Sequence, residues 1–283
     1  LSLNEVKTYT LVGEKEIKIF DQDNLIKLLM PMSNDKMYVR RSIIPSLLNV
    51  YDYNNKRGVK DINIYEISNV YDNNYNEEQL LSILMSGNYI ANNFNGVGIK
   101  NDFYVLKGII ENLLNYLGYD KRYRFTPLKD KKEMHPGMSA NIYIDNDLIG
   151  FMGKISPTIT KDDIYICEIN LSIIYNKKSK KIKYPEISKY PEITKDVAFI
   201  LDKNILSSDV EKEIRKNGNK ILSNIKVFDL YIGDKIDSSK KSVGYSLTFQ
   251  DVNRTLTDEE VDNVFKTIIN KVSSKFKCEI RDK

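Results

Sequence analysis

Residues able to do covalent chemistry are few in this chain. The one histidine, His135, sits in HPGMSA, and no serine or cysteine near it carries a nucleophile's motif. Ahead of Pro136 it reads as a turn histidine bonded to backbone. Cys167 and Cys278 lie far apart on predicted strands, with none of the CxxC or HExxH spacing that a zinc ion needs. The stretch GVGIK, Gly96 to Lys100, is too short a glycine signal for phosphate binding. Arg40 and Arg41 have the charge to face a phosphate, but a pair on a strand edge more often serves a surface or an interface. Glu66, in IYEIS, reads as the end of a strand face. A second group bears on binding instead. Asp229, Tyr231 and Ser242 flank a hairpin near the C-terminus on its polar face, and Lys240 and Lys241 stand where the hairpin turn ends.

The elements that must hold this group are legible. Val243, Tyr245, Leu247 and Phe249 alternate with Ser242, Gly244, Ser246, Thr248 and Gln250, one strand face apolar and the other polar. On the partner strand Phe228, Leu230 and Ile232 alternate with Val227, Asp229 and Tyr231, so the first three are expected inside. The polar turn GDKIDSSKK joins the two. Thr257 ahead of Asp258, Glu259 and Glu260 is a capping-box pattern with acids at the positive end of a helix. An apolar stripe follows at Val261, Phe265, Ile268, Val272 and Phe276. The hairpin is expected to bury one face on that helix and leave the Asp229, Tyr231 and Ser242 face open. Arg254 reads as a brace for the loop before the helix.

Upstream, residues 1–12 read as a helix end running into a strand, and Asp23 to Met30 as helical. A strand near Met37 to Arg40 precedes a helix with Pro45 in its first turn, Gly58 at its stop and Leu47, Leu48 and Tyr51 on its buried side. Ile62 to Val70 and Gln79 to Ser86 read as strands. Asp102 is placed to cap a helix carrying Val105, Ile109, Leu113 and Leu117 before Gly118. Strands are predicted at 122–126, 139–144, 148–154 and 164–170, with a turn at Asp145 to Asp147. Many strands without βαβ alternation predict an antiparallel sheet with helices on it, an α+β domain. After Pro191 the predicted order is βαββαβ, which is ferredoxin-like.

The chain has 283 residues, 41% hydrophobic and 29% charged, enough for two domains with cores of their own. No apolar run approaches the roughly 18 residues that a membrane span needs. Net charge is +4, but Lys177 to Lys183 alone holds five lysines, so the remainder is about neutral and a uniformly basic nucleic-acid binder is excluded. That run reads as a solvated linker. Two distant cysteines suit a reducing, cytoplasmic compartment. Leu1 opens the chain without a methionine or a signal pattern, which reads as a piece of a longer protein.

The strings KYPEITKDVAFILD, FDLYIGDKI, KKSVGYSLTFQ and RTLTDEEV, in this order from about Lys189 onward, resemble the ferredoxin-like anticodon-binding domain of bacterial phenylalanine–tRNA ligase β chains. NEVKTYTLV, PMSND with VRRSIIPSLL, YNNKRGVKDINIYEISNVY, DFYVLKGIIENLL, HPGMSA and IGFMGKI resemble the class II synthetase-like module of the same chains. The resemblance implies an α+β chain in three parts: a non-catalytic module over 1–176, a basic linker over 177–188 and an anticodon-binding domain over 189–283. It implies a partner α subunit carrying the active site within an (αβ)₂ assembly, and phenylalanine tRNA as the RNA. ATP and Mg²⁺ would serve the holoenzyme, with no cofactor, metal site or editing site in this piece and the piece inactive alone. The residues agree, since no glycine-rich strand ending in an ATP-clamping arginine occurs between Asp102 and Asn176. Met30 stands where the family commonly has asparagine, and Met138 where it commonly has arginine; both argue against anion binding by those loops.

Carried over from the family, Asp229, Tyr231 and Ser242 meet the first anticodon base. Tyr231 would stack, Asp229 accept from a base edge, and Ser242 donate or accept beside it. Lys240 and Lys241 would add phosphate contacts that fix register. Two other readings compete. One is a self-contained enzyme on the ferredoxin-like fold, such as an ATP-using ligase or an acylphosphatase-like hydrolase. It would need an anion-cradling loop after the first strand, and LDKNILSS offers neither glycine nor arginine. The other is a subunit-interaction module with no RNA role.

Overall fold

A computed structural model describes residues 1–20, 25–91, 94, 96–180, 187–234 and 236–281, which divide into two compact units, Leu1–Ile182 and Lys183–Lys283. The first unit opens with strands β1 (Asn4–Glu5) and β2 (Leu11–Val12), helix α1 (Glu14–Ile19), strand β3 (Tyr38–Val39) and helix α2 (Ile44–Asn55). The long antiparallel pair β4 (Ile62–Tyr71) and β5 (Glu77–Ser86) follows, then the short β6 (Asn88–Ile90) and β7 (Ile99–Lys100) and helix α3 (Phe103–Tyr116). The unit closes with β8 (Tyr123–Pro127), β9 (Met134–Ile144), β10 (Asp147–Ile155), β11 (Ile164–Asn170) and the short α4 (Leu171–Tyr175).

Seven of these strands form one sheet in the order β1-β4-β5-β11-β10-β9-β8, antiparallel except for the β1–β4 pair. Alternation along the central strands sends side chains to both faces, and both are covered. On one face α3 and α4 set Leu106, Ile110, Leu114 and Ile174 against Met85, Ile142, Met152 and Cys167. On the other, α2 sets Ile44, Leu47 and Leu48 against Ile64, Leu84 and Ile166. Completely burying one such side chain contributes about 1.5–3 kcal/mol, so the two helix layers hold the sheet from both sides.

Local signals explain several ends. Asp102 Oδ1 accepts from Val105 N at 2.7 Å at the start of α3. Gly118 ends that region at φ +84°, and a Cβ there would stand 2.3 Å from the Lys180 carbonyl oxygen, so no other residue fits. The stripe of α3 is turned by one residue from the expected one: Leu106, Ile109, Ile110 and Leu114 are its buried positions, while Val105 and Leu113 are half-buried. The N-terminal expectation fails in another way. Leu25 to Met30 is not helical, because Leu28 N donates to Met37 O and Val39 N to Ile26 O, an extended pairing beside β3; Asp23 and Asn24 lie outside the described residues. The helix of that region is α1, where Glu16 Oε2 accepts from Gly13 N at 3.1 Å.

The run that reads as a linker does not start as one. Lys177 pairs with Asp147, Lys180 N donates to Gly118 O, and Arg122 donates to Lys178 O, so residues 177–180 are fastened to the first unit. Residues 181–186 lie outside the described ones.

The second unit runs β12 (Ile193–Asp202), α5 (Ser207–Asn217), β13 (Leu222–Tyr231), β14 (Lys240–Phe249), α6 (Asp258–Phe276) and β15 (Glu279–Ile280). Its sheet order is β13-β14-β12-β15, antiparallel throughout, the ferredoxin-like arrangement the sequence predicts. Val210, Ile214, Val261, Ile268 and Val272 of the two helices pack on Val197, Phe199, Leu201, Val243, Tyr245, Leu247 and Phe249. The capping box of α6 forms as expected: Glu260 N donates to Thr257 Oγ1, and Thr257 N to Glu260 Oε2. Helices α5 and α6 cover one sheet face only.

Candidate nucleic-acid interface

Strand pairing brings the dispersed residues together on that uncovered face. Tyr231 stands opposite Ser242, and Asp229 opposite Gly244, while Val243 between them and Tyr245 beyond point to the helices. Asp229, Tyr231 and Ser242 are therefore cross-strand neighbours, two rungs of one ladder. Lys240 precedes Ser242 by two residues and shares its face. Lys241 points the other way, and its Nζ donates to the carbonyls of Lys203 and Ile205 at 3.1 and 2.6 Å. Burial of that ammonium pulls its pKa down.

The partner strand departs from the expected alternation. A bulge lies between Val227 and Asp229, so Phe228 has no partner on β14. Phe228, Leu230 and Ile232 were all expected inside, yet each is more than half exposed. Leu230 does face the helix side with Val243, but it lies toward the hairpin end of the edge strand, past Ile225, the β13 residue buried in the core with α5 and α6. Phe228 is thrown to the open face. Its ring reaches within 2.9 Å of where a Gly244 Cβ would stand, beside the Asp229 Cβ at 3.1 Å, so only glycine admits the ring. The face thus carries a second aromatic, 53% exposed, that the sequence pattern placed in the core.

The chain's far end supplies a further member. Arg281 N donates to Ala198 O at 2.9 Å, continuing the pairing of β15 with β12. Its guanidinium carbon lies 4.8 Å from the centroid of the Tyr231 ring, a cation–π contact. Ser242, between Tyr231 and Ile200 in the ladder, is 0% exposed, and its Oγ has no hydrogen-bond partner among the described residues. A buried hydroxyl left without a partner carries a desolvation cost that a water or a ligand group would relieve. A side chain at Gly233 would strike the Tyr231 hydroxyl at 2.7 Å, which fixes how the turn approaches that ring.

The first unit's charged residues serve the fold instead. Arg40 was expected on a surface or interface, but it is 0% exposed and pairs with Glu66 at 2.7 Å; Thr8 bridges the two. Glu66 sits mid-strand on β4, so it does not end a strand face. Opposite the same Ser82 lies Glu168, whose Oε2 accepts from Ser42 Oγ, Ser82 Oγ and Ile43 N at 2.8–2.9 Å. Burial raises the Glu168 pKa against the lowering of those three donors. His135 Nδ1 accepts from Gly137 N at 3.1 Å, the backbone bond the sequence suggests, but both residues lie within strand β9 and not at a turn. Arg254 braces the α6 start through a two-pronged contact with Glu260 at 2.7 and 2.8 Å. Among the described residues no group of three or more His, Cys, Asp or Glu side chains is arranged to hold a metal ion, and no helix is long and apolar enough to cross a membrane.

The ferredoxin-like unit with one helix-covered face and one open face belongs to a class of anticodon-binding domains: residues 188–281 match the family model of the ferredoxin-fold anticodon binding domain. Residues 1–171 match the family model of the phenylalanyl tRNA synthetase beta chain CLM domain. The chain belongs to the phenylalanyl-tRNA synthetase β chain family. It is 34% identical over 98% of its length to a phenylalanine–tRNA ligase beta subunit of Oceanobacillus iheyensis, and 36% identical over 99% to that of Fusobacterium nucleatum. It spans 36–37% of the length of those relatives.

Proposed function

We propose that this chain is the tRNA-anchoring part of a phenylalanine–tRNA ligase, its second unit holding an unpaired anticodon base on the open sheet face. The observation that carries the reading is the rung-by-rung placement of Asp229, Tyr231 and Ser242 on that face. A tyrosine ring gives a stacking surface to any base, worth about 1–3 kcal/mol. An ionised carboxylate accepts from base N–H groups, and a hydroxyl does either, so Asp229 and Ser242 supply the edge contacts that discriminate. Phe228 adds a second stacking surface beside Asp229. Lys240, on the same face, supplies a phosphate contact that sets register; Lys241, a candidate for the same contact, points to the other face, where its Nζ is bonded to two carbonyls.

The first unit we assign to scaffolding the catalytic α subunit in an (αβ)₂ assembly in the cytoplasm. Leu29, Met30 and Met32, almost wholly exposed at the end of one loop, support a protein partner there. ATP and Mg²⁺ belong to the chemistry of the whole ligase and are not assigned to residues of this chain. The test is binding of the chain to phenylalanine tRNA and to an anticodon-substituted copy at two salt concentrations, with Tyr231→Ala alongside. Preference for the natural anticodon, lost in the variant, is the expected result. Equal binding of both tRNAs that vanishes with salt would leave only phosphate attraction and favour a subunit-interaction module without an RNA role.

A further inference from the structure

A base that stacks on Tyr231 and meets Ser242 at its edge finds the ring only partly exposed and the serine wholly buried. Ser242 is wholly buried although it sits on a sheet face that no helix covers. Something on that face must roof it. Tyr231 lies on β13, one strand from Ser242; Arg281 begins beyond β12, at the level of Ala198. To reach the Tyr231 ring, the Arg281 side chain has to cross the open side of β12 and β14, the two strands that flank and carry Ser242. The ring from one edge and the guanidinium from the other approach to 4.8 Å on the face that carries the serine, whose Oγ has no partner among the described residues.

We infer that Arg281 is a latch on the base platform: in the free chain it occupies the Tyr231 ring and closes over Ser242, and an incoming base displaces it. Guanidinium and base bind the same feature, the π face of the tyrosine, so they compete for it. The inference rests on the reading that this face takes a base. Population arithmetic sets the consequence, since affinity measured on the closed chain is lowered by the fraction of time the platform is open. The orphaned Ser242 Oγ biases the exchange, because a base edge gives it the partner it lacks in the closed state.

Two measurements on the full 283-residue chain test this. The sequence contains no tryptophan, so Tyr231→Trp makes a single emitter at the platform. Acrylamide quenching of that emitter is expected to rise at least about twofold when Arg281→Ala is added, because the roof is gone; unchanged quenching would overturn the latch. With Tyr231 intact, Arg281→Ala is expected to bind the anticodon stem-loop of phenylalanine tRNA about two- to fivefold more tightly, the size of one exposed cation–π contact. Weaker binding would make Arg281 a direct RNA contact and overturn the latch from the other side. If quenching rises while neither chain prefers the natural anticodon, the latch stands and the assignment of its ligand falls.

Discussion

Arg40 Nη2 lies 2.7 Å from Glu66 Oε1, and neither side chain reaches solvent. The pair joins the segment before α2 to the middle of β4, so it ties the chain's first fifty residues to the sheet. A buried ion pair is not itself a strong source of stability, but a single buried charge is costly. Arg40→Met should therefore destabilise the first unit by about 3–5 kcal/mol, and Arg40→Met with Glu66→Leu should recover most of that loss. Urea unfolding of the three chains measures it; equal stability of the single and double variants would show that the pair is not coupled.

The bulge at Phe228 predicts an asymmetry between neighbours of similar exposure. Phe228 is on the face proposed to take RNA, and Leu230 on the opposite one. Phe228→Ala should weaken binding of the anticodon stem-loop by about 1–3 kcal/mol, the size of a base–aromatic stack, whereas Leu230→Ala should leave it within error. Parallel titrations by anisotropy distinguish the two. Equal losses would mean that the edge strand, not the open face, meets the RNA.

Lys240 and Lys241 should separate by salt. Lys240→Ala should reduce the slope of log affinity against log salt by about one, as expected for one lost phosphate contact. Lys241 is bonded to the Lys203 and Ile205 carbonyls, so Lys241→Ala should chiefly lower the melting temperature of the second unit and change the slope less.

Glu260 predicts an acid transition. The Arg254 guanidinium, then the Thr257 backbone amide, hold its carboxyl at about 2, below its ordinary value near 4.3. A depressed folded pKa gives stability that is present above the unfolded value and lost as pH falls through the folded one. The start of α6 should accordingly loosen between about pH 4 and pH 2. In Arg254→Ala, that loosening should begin at higher pH. Amide exchange at Glu260 and Val261 against pH reports it; an unshifted profile would discount the Arg254 contact.

The sequence by itself determined whatever depends on neighbours a few residues apart. The Asp102 and Thr257 caps, the Pro45 start of α2, the alternation of Val243 to Phe249 and the βαββαβ order all follow from local bonding and periodicity, and all appear in the structure. The family could be read too, because its motifs are contiguous strings. Tertiary structure decided what depends on register and on contacts between distant segments. The Phe228 bulge exists only in the pairing of β13 with β14, and one extra residue there moves an aromatic from the expected core to the open face. Arg40 and Glu66 are 26 residues apart, each polar and each unremarkable in its own string, and only the fold buries them together. Ser242 looks like the exposed half of an alternating strand. It is nonetheless buried, and Arg281, at the other end of the domain, reaches the ring of its cross-strand neighbour Tyr231, a contact that no local pattern encodes.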